Sequence, residues 1–145
     1  GELVQIGSDE DIILRPESRF IFEFIGVTNF IPLKRADSEY KLDVGRELIP
    51  WPEPVPENLA NEQYLDMGTR PNDITFDDTS PIRAKVKRAV FLGSEYDYFI
   101  ELGDLEIRLQ QSTLDAALIG AAKEGSEVGL KFLNPRYYQA QGKGA

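Results

Sequence analysis

The feature that most constrains this chain is an alternating apolar pattern between positions 82 and 109. Apolar residues stand at nearly every second position in three successive stretches, which are separated by Gly93-Ser94 and Gly103-Asp104. A period of two places side chains on alternate faces of a β-strand, and a Gly-led pair is typical of a tight turn between antiparallel strands. The pattern therefore predicts a three-stranded β-meander. Its apolar positions are Ile82, Ala84, Val86, Val90 and Leu92, then Tyr96, Tyr98, Ile100 and Leu102, then Leu105, Ile107 and Leu109, with Arg88 as the exception.

The rest of the chain also favours short strands. Strand-like runs occupy residues 30–33, 40–44 and 128–132, and another begins at Tyr137-Tyr138. Ala36-Asp37-Ser38 has the composition of a turn between the first two runs.

Residues 113–122 are apolar, rich in Ala and free of Pro, which predicts a short helix or an irregular crossing that Gly125 ends. Short strands with turns every eight to twelve residues are typical of a small barrel or sandwich. One helix between the late strands is compatible with an OB-like barrel. We therefore predict a mainly β fold, an OB-like small barrel.

Residues 50–58, PWPEPVPEN, carry Pro at every second position. Pro lacks the N–H group that a helix interior or a central strand needs, so this segment is expected to be an extended loop. We expect it to cap the barrel. The alternative is a docking site for a partner through Trp51 and its prolines.

The first 26 residues follow a helical pattern. Ser8 with the acids after it resembles a capping box, and Pro16 suits the first turn of a second helix. Phe20, Ile21, Phe24 and Ile25 recur at helical spacing, and Gly26 is a typical helix stop. At the other end, residues 141–145, QGKGA, are expected to form a flexible tail.

The composition excludes several classes of function. The net charge of −9 repels phosphate backbones, so nucleic acid is not an expected partner. His and Cys are absent, which removes the commonest general base, the usual zinc ligands and any Cys or Ser triad with His. No Gly-rich phosphate loop is present. Paired acids occur at Asp77-Asp78 and at Glu95 and Asp97, and we interpret both pairs as solvated surface. No catalytic, cofactor or metal residue is therefore predicted.

One motif is less ordinary. In MGTRPNDITF, residues 67–76, Arg70-Pro71 ends a strand-like run and Asp73 leads into the next run. A guanidinium can bridge loops through paired hydrogen bonds, so Arg70 is interpreted here as a structural ion-pair partner.

Several motifs in this order resemble the end of the ATP-binding subunits of ABC importers. The N-terminal part matches through Val4-Gln5-Ile6-Gly7, Arg15-Pro16, Phe20, Phe24-Ile25-Gly26 and Thr28-Asn29. The later part is similar to the transport-associated OB (TOBE) region through residues 68–74, 86–94 and 98–102, and through Gly125, Val128 and Leu130. Asn72 stands where the family usually has an acid. The spacing resembles importers of ferric iron and of spermidine/putrescine more than the sugar group.

The resemblance implies a division of the chain. Residues 1–26 would be the helical C-terminal end of an ATPase domain, residues 27–140 a TOBE/OB-like regulatory domain, and residues 141–145 the tail. The ATP and Mg²⁺ sites of the family lie upstream, so this fragment itself would not be an enzyme and would hold no cofactor.

The resemblance also implies partners: the ATPase domain of the same subunit, a second copy in a homodimer, and the transmembrane permease. A regulatory protein or a small solute would be a further partner. The module would be cytoplasmic and peripheral to the inner face of the cell membrane. The candidate regulatory and interface residues are Arg70, Pro71, Asp73, Gly93, Ser94, Tyr96 and Tyr98.

Two other functions remain open from the sequence. A small-solute or oxyanion sensor would use backbone amides with Arg70, Arg83 or Arg108. An OB-fold nucleic-acid binder would stack bases on Tyr96, Tyr98 and Phe99. Acidic residues surround those rings, which disfavours the nucleic-acid binder.

Overall fold

The structure is a computed structural model that describes residues 29–46 and 48–140 of the chain. The predicted N-terminal helices and the predicted tail lie outside these residues. The described part contains ten strands, one α-helix and two short 3₁₀ helices, at Glu57–Leu59 and Pro71–Asp73. The strands are β1 (Asn29–Ala36), β2 (Glu39–Leu42), β3 (Ile49–Pro50), β4 (Tyr64–Thr69), β5 (Ile74–Phe76), β6 (Arg83–Phe91), β7 (Glu95–Leu102), β8 (Leu105–Ser112), β9 (Glu127–Phe132) and β10 (Arg136–Gln139), and the helix is α1 (Thr113–Ile119).

The first sheet has the strand order β10-β4-β1-β2-β3. Its hairpin between β1 and β2 turns at Asp37 and Ser38, which have φ angles of 54° and 72°. Two successive positive φ angles match the right-handed twist of the flanking strands in a two-residue turn. The turn predicted at Ala36-Asp37-Ser38 is confirmed.

The second sheet has the order β5-β9-β6-β7-β8 and contains the predicted meander as β6, β7 and β8. Gly93 and Gly103 have positive φ angles at its two turns. At Gly103 a Cβ atom would lie 2.3 Å from the Val44 carbonyl oxygen, so only glycine fits there. The outer strands β5 and β8 lie against each other, which curls this sheet toward a closed barrel. The mainly β, OB-like prediction is confirmed.

Strand β6 departs from the predicted alternation. Its pairing with β7 shifts between Val86 and Arg88, so one extra residue bulges from the ladder. A bulge moves every later residue to the opposite face. Beyond it, Ala89 packs on the core opposite Tyr98. The prediction that Val90 and Leu92 share the inward face of Val86 is therefore wrong.

Helix α1 is shorter than predicted. The Ser112 hydroxyl accepts a hydrogen bond from the Asp115 N–H at 3.0 Å, which caps its start. The helix ends at Gly120, whose φ angle is 97°. The N–H of Gly120 still donates to the Ala116 carbonyl, as in a helix. Gly120 is therefore the stop that the sequence assigned to Gly125. Gly125 instead donates its N–H to the Val86 carbonyl at 2.7 Å, just before β9.

The core draws side chains from both sheets, and the Pro-rich segment closes it. Trp51 is 6% exposed and packs edge-on against Phe132, with ring centroids 5.6 Å apart. Its indole N–H donates to the Tyr137 hydroxyl at 3.0 Å. The burial of Trp51 confirms the prediction that the Pro-rich segment caps the barrel. Trp51 is therefore not a docking residue for a partner. Within the described ranges, no helix is both long enough and apolar enough to cross a bilayer.

Candidate functional site

The seven candidate residues fall into two groups on different elements. Arg70, Pro71 and Asp73 lie where the chain crosses from the first sheet to the second. Gly93, Ser94, Tyr96 and Tyr98 lie at the end where β6 turns into β7. The structure does not bring the two groups together as one site.

The first group forms a joint between the sheets. Pro71 is buried at the first position of a 3₁₀ helix, where its missing N–H costs nothing. The N–H of Asp73 donates to the Arg70 carbonyl at 2.9 Å, and the Asp73 carbonyl accepts from the N–H of Leu133 at 2.8 Å. Because Leu133 begins the return crossing from β9 to β10, the two crossings are bonded together.

The positive charge of Arg70 acts on Tyr138. Burial raises the pKa of Tyr138 to about 12, and the positive charges of Arg136 and Arg70 partly oppose this rise. Tyr138 lies in β10, next to β4. The charge of Arg70 thus reaches the strand at the edge of the first sheet.

In the second group, Tyr98 is wholly buried. Its hydroxyl donates to the Gln111 side-chain oxygen at 2.9 Å and accepts from the Ala122 N–H at 3.1 Å. Burial is also the main cause that raises the pKa of the Tyr98 hydroxyl. Tyr98 thus anchors the segment after α1 to the sheet, and it has no surface to offer a base or a protein partner.

Tyr96 and the turn join this core to the surface. The Tyr96 ring stacks on Tyr98 with centroids 5.9 Å apart and lies 5.0 Å from the Phe91 ring. The Ser94 carbonyl accepts hydrogen bonds from the N–H and the hydroxyl of Thr113, at 3.1 and 3.3 Å. The β6–β7 turn and the start of α1 therefore form one unit.

This unit carries large apolar side chains on its surface. We call them the apolar end: Phe91 is 58% exposed, Leu92 55%, Leu114 68%, Leu118 74% and Ile119 54%. Helix α1 buries none of its residues. Sequence reasoning missed these leucines, although TLDAALI offered a signal, since its only charge is at Asp115 and it has no polar face.

The proposed oxyanion ligands Arg83 and Arg108 are already engaged. Arg108 forms an ion pair with Asp97 through two guanidinium nitrogens and lies 4.4 Å from the Phe99 ring centroid. Arg83 donates to the Asp78 carbonyl at 3.1 Å and to Glu127 at 3.4 Å. Both cations therefore hold protein oxygens rather than an open anion site.

The burial of Asp97 shows that one prediction from the sequence is wrong. The sequence placed Glu95 and Asp97 on an exposed strand face, but Asp97 is only 8% exposed. It forms an ion pair with Arg108, which lies on the neighbouring strand β8 opposite Phe99. The two residues of this ion pair stand on neighbouring strands, so the sequence pattern did not show it.

A cavity of about 510 Å³ lies between the β1–β2 hairpin and the Pro-rich segment, lined in part by Arg35, Tyr40 and Trp51. The Tyr40 hydroxyl donates to backbone carbonyls of Leu59 and Glu62. Since the Tyr40 hydroxyl and the Trp51 N–H both serve the fold, the two aromatic walls of this cavity present no unused polar group.

The fold and sequence together define the class of domain. Residues 67–136 match the family model of the TOBE domain, and this part of the chain is therefore a TOBE domain.

The relatives are import ATP-binding proteins. The chain is 30% identical over 112 residues to the Fe(3+) ions import ATP-binding protein FbpC of Escherichia coli (strain K12), covering 76% of this chain and 30% of that protein. It is 28% identical over 118 residues to the spermidine/putrescine import ATP-binding protein PotA of Pseudomonas fluorescens (strain Pf0-1), covering 77% and 32%. PotA 1 of Pseudomonas aeruginosa PAO1 is 29% identical over 142 residues, covering 88% and 38%. The chain thus spans about a third of the length of these relatives.

Proposed function

We propose that this chain is the C-terminal TOBE region of an ABC-importer ATP-binding subunit and that it holds two copies of the subunit together. The relation to import ATP-binding proteins supports the assignment. ATP and Mg²⁺ binding, and hydrolysis, would then belong to a domain upstream of this region. The subunit would work at the cytoplasmic face of the membrane with a permease.

The observation that carries the pairing role is the apolar end. At about 100 Å² of exposed surface per side chain, its five members present roughly 500 Å², in the upper range for the largest patch on a monomer. Two copies placed face to face would bury about 1,000 Å², the lower limit for a specific interface. The same patch on both partners suits a two-fold interface.

The distribution of charge supports the apolar end as the pairing surface. Two chains of net charge −9 repel each other. Helix α1 contributes only Asp115 to that repulsion, so two copies of the apolar end can approach with few like charges between them. Burial of the leucines then supplies the attraction.

A paired module of this kind acts without chemistry of its own. It keeps two ATPase domains at high effective concentration when their faces separate. An effector that binds one geometry of the dimer more tightly than another would favour that geometry. It would thereby shift the equilibrium between states of the transport cycle. The small-solute and oxyanion sensor is the weaker candidate, because Arg83 and Arg108 are engaged within the fold.

The test is the solution mass by light scattering across a concentration series. We expect the wild-type chain to reach twice 16.3 kDa, and Leu118→Glu to weaken the dimer by about tenfold or more, because a carboxylate would be buried. The matched control is Leu133→Glu, the same change at a leucine that is 55% exposed outside the apolar end. A wild-type chain that stays monomeric, or equal effects of the two substitutions, would contradict the proposal.

A further inference from the structure

Helix α1 is held in place mainly by hydrogen bonds at its two ends. It has 7 residues, and none of them is buried. An isolated helix this short is unstable in water, so contacts with the rest of the fold must keep it formed. At its start, the Ser112 hydroxyl caps the first turn, and Thr113 donates twice to the Ser94 carbonyl. The start of α1 is therefore fixed to the β6–β7 turn.

The end of α1 is fixed by two side chains of the second sheet. Gln111, near the end of β8, donates from its amide nitrogen to the Gly120 carbonyl at 3.0 Å. The amide oxygen of Gln111 accepts from the Tyr98 hydroxyl at 2.9 Å. That hydroxyl accepts in turn from the Ala122 N–H at 3.1 Å. We call these four residues and their three hydrogen bonds the anchoring network.

The register of the sheet brings the two side chains of the anchoring network together. Tyr98 stands opposite Leu109 in the pairing of β7 with β8, and Gln111 is two residues further along β8. Diagonal neighbours at this spacing share one face of a sheet and are within reach of long side chains. Tyr98 is wholly buried, and Gln111 is 5% exposed. A connected buried network favours a single arrangement, because a displacement would leave a buried polar atom unpaired.

We propose that Tyr98 and Gln111 are positioning residues for the pairing of two copies, because they fix the direction in which α1 presents its apolar side chains. This inference rests on the proposed function. Leu118 and Ile119 come directly before Gly120, so a displacement of Gly120 would move them. Tyr98 and Gln111 would not contact the partner, since both are buried. Their effect on pairing would pass through the backbone at the end of α1.

The anchoring network can be interrupted without changing the apolar end. The Tyr98 ring stacks on Tyr96, and the Tyr96 ring lies 5.0 Å from the Phe91 ring. Tyr98→Phe keeps this ring stack and removes only the hydroxyl that joins Gln111 to Ala122. Gln111→Met keeps the length of the side chain and removes both of its hydrogen bonds. The two variants thus interrupt the same network from two different strands.

Tyr40→Phe is the matched control for these variants. Tyr40 is 8% exposed, and its hydroxyl donates to the backbone carbonyls of Leu59 and Glu62. The substitution removes the same atom from another buried tyrosine that fixes a backbone segment. Tyr40 lies in the first sheet, whereas the anchoring network lies in the second. The control therefore shows what a general loss of stability does to pairing.

The first test measures the dimer dissociation constant of the 145-residue chain by light scattering. We expect Tyr98→Phe and Gln111→Met each to raise this constant about fivefold, within the range of one hydrogen bond, and Tyr40→Phe to change it by less than about twofold. The double variant of Tyr98 and Gln111 should raise it by less than the product of the single effects, because both substitutions interrupt one network. Fluorescence of Trp51, the only Trp, verifies in urea titrations that each variant is folded.

The second test measures the placement of α1 within one chain. The chain contains no Cys, so spin labels can be attached to Ala117→Cys on α1 and Glu101→Cys on β7, both at exposed positions. Labelled chain is diluted with unlabelled chain, so that only the distance within a chain is recorded. We expect Tyr98→Phe and Gln111→Met to widen the distribution of distances between the two labels. Tyr40→Phe should leave the distribution unchanged.

The outcomes separate this inference from the proposed function. Weaker pairing together with a wider distance distribution supports the inference. If the wild type dimerises and neither network variant weakens the dimer, the inference alone is overturned. An unchanged distance distribution in both network variants would refute it as well, and so would an equal loss of pairing in Tyr40→Phe. A wild-type chain that stays monomeric would overturn the proposed function and this inference with it.

Discussion

Two apolar clusters lie at separate places in this domain, and they differ in how they are covered. Around Trp51, the rings of Phe132 and Tyr137 come from the two sheets, and the Pro-rich segment closes over them. At the apolar end, Leu114 and Leu118 project from a helix that buries none of its residues. Both clusters are rich in large apolar side chains. The comparison shows that composition alone does not decide whether an apolar cluster is buried. The Trp51 cluster is buried because another segment of the chain packs over it.

The two clusters also differ in their polar groups. The Trp51 indole and the Tyr137 hydroxyl satisfy each other at 3.0 Å, as buried polar groups require. At the apolar end, the leucines and Phe91 carry no polar atom on their side chains. A partner can therefore cover the apolar end without leaving a side-chain donor or acceptor unpaired there.

The largest effect is expected from Trp51→Ala. The substitution removes a buried side chain shared by both sheets and leaves the Tyr137 hydroxyl without its donor. We expect the free energy of unfolding to fall by about 3–5 kcal/mol, measured by urea denaturation followed by circular dichroism. A loss below about 1 kcal/mol would mean that the Pro-rich segment is not part of the cooperative core.

An intermediate effect should appear as a pH dependence of the Trp51 cluster. Burial raises the pKa of Tyr137 to about 12, although the hydrogen bond from Trp51 opposes this. The unfolded chain loses the phenolic proton near pH 10, before the folded chain does, so stability is full below pH 10 and falls as pH rises toward 12. Urea midpoints between pH 9 and 12 measure this slope. Tyr137→Phe should make it shallower, and an unchanged slope would show that other groups cause it.

The smallest effect on folding is expected from Leu118→Ala. The side chain is 74% exposed, so its removal creates no cavity in a single chain. Under dilute conditions, we expect the free energy of unfolding to change by no more than about 0.5 kcal/mol. A loss as large as that of Trp51→Ala would erase the contrast between the two clusters, because it would mean that Leu118 already packs within one chain.

Much of the fold was readable from local pattern. The period of two and the Gly-led turns identified β6, β7 and β8, because strand alternation and positive φ angles are properties of neighbouring residues. The Pro spacing identified the capping loop for the same reason. For the candidate site, the sequence located the β6–β7 turn and the Arg70-Pro71 crossing, but it placed the wholly buried Tyr98 among the interface residues.

The sequence by itself determined where strands and turns form, because those depend on contacts a few residues apart. Only the tertiary structure decided which faces are covered. The bulge after Val86 reverses the faces of β6, and it is a feature of the pairing with β7, a separate strand. Asp97 is buried because Arg108 stands beside it on the next strand, and Trp51 is buried because Tyr137, 86 positions away, meets it. Burial depends on partners distant in the chain, and no local periodicity contains them.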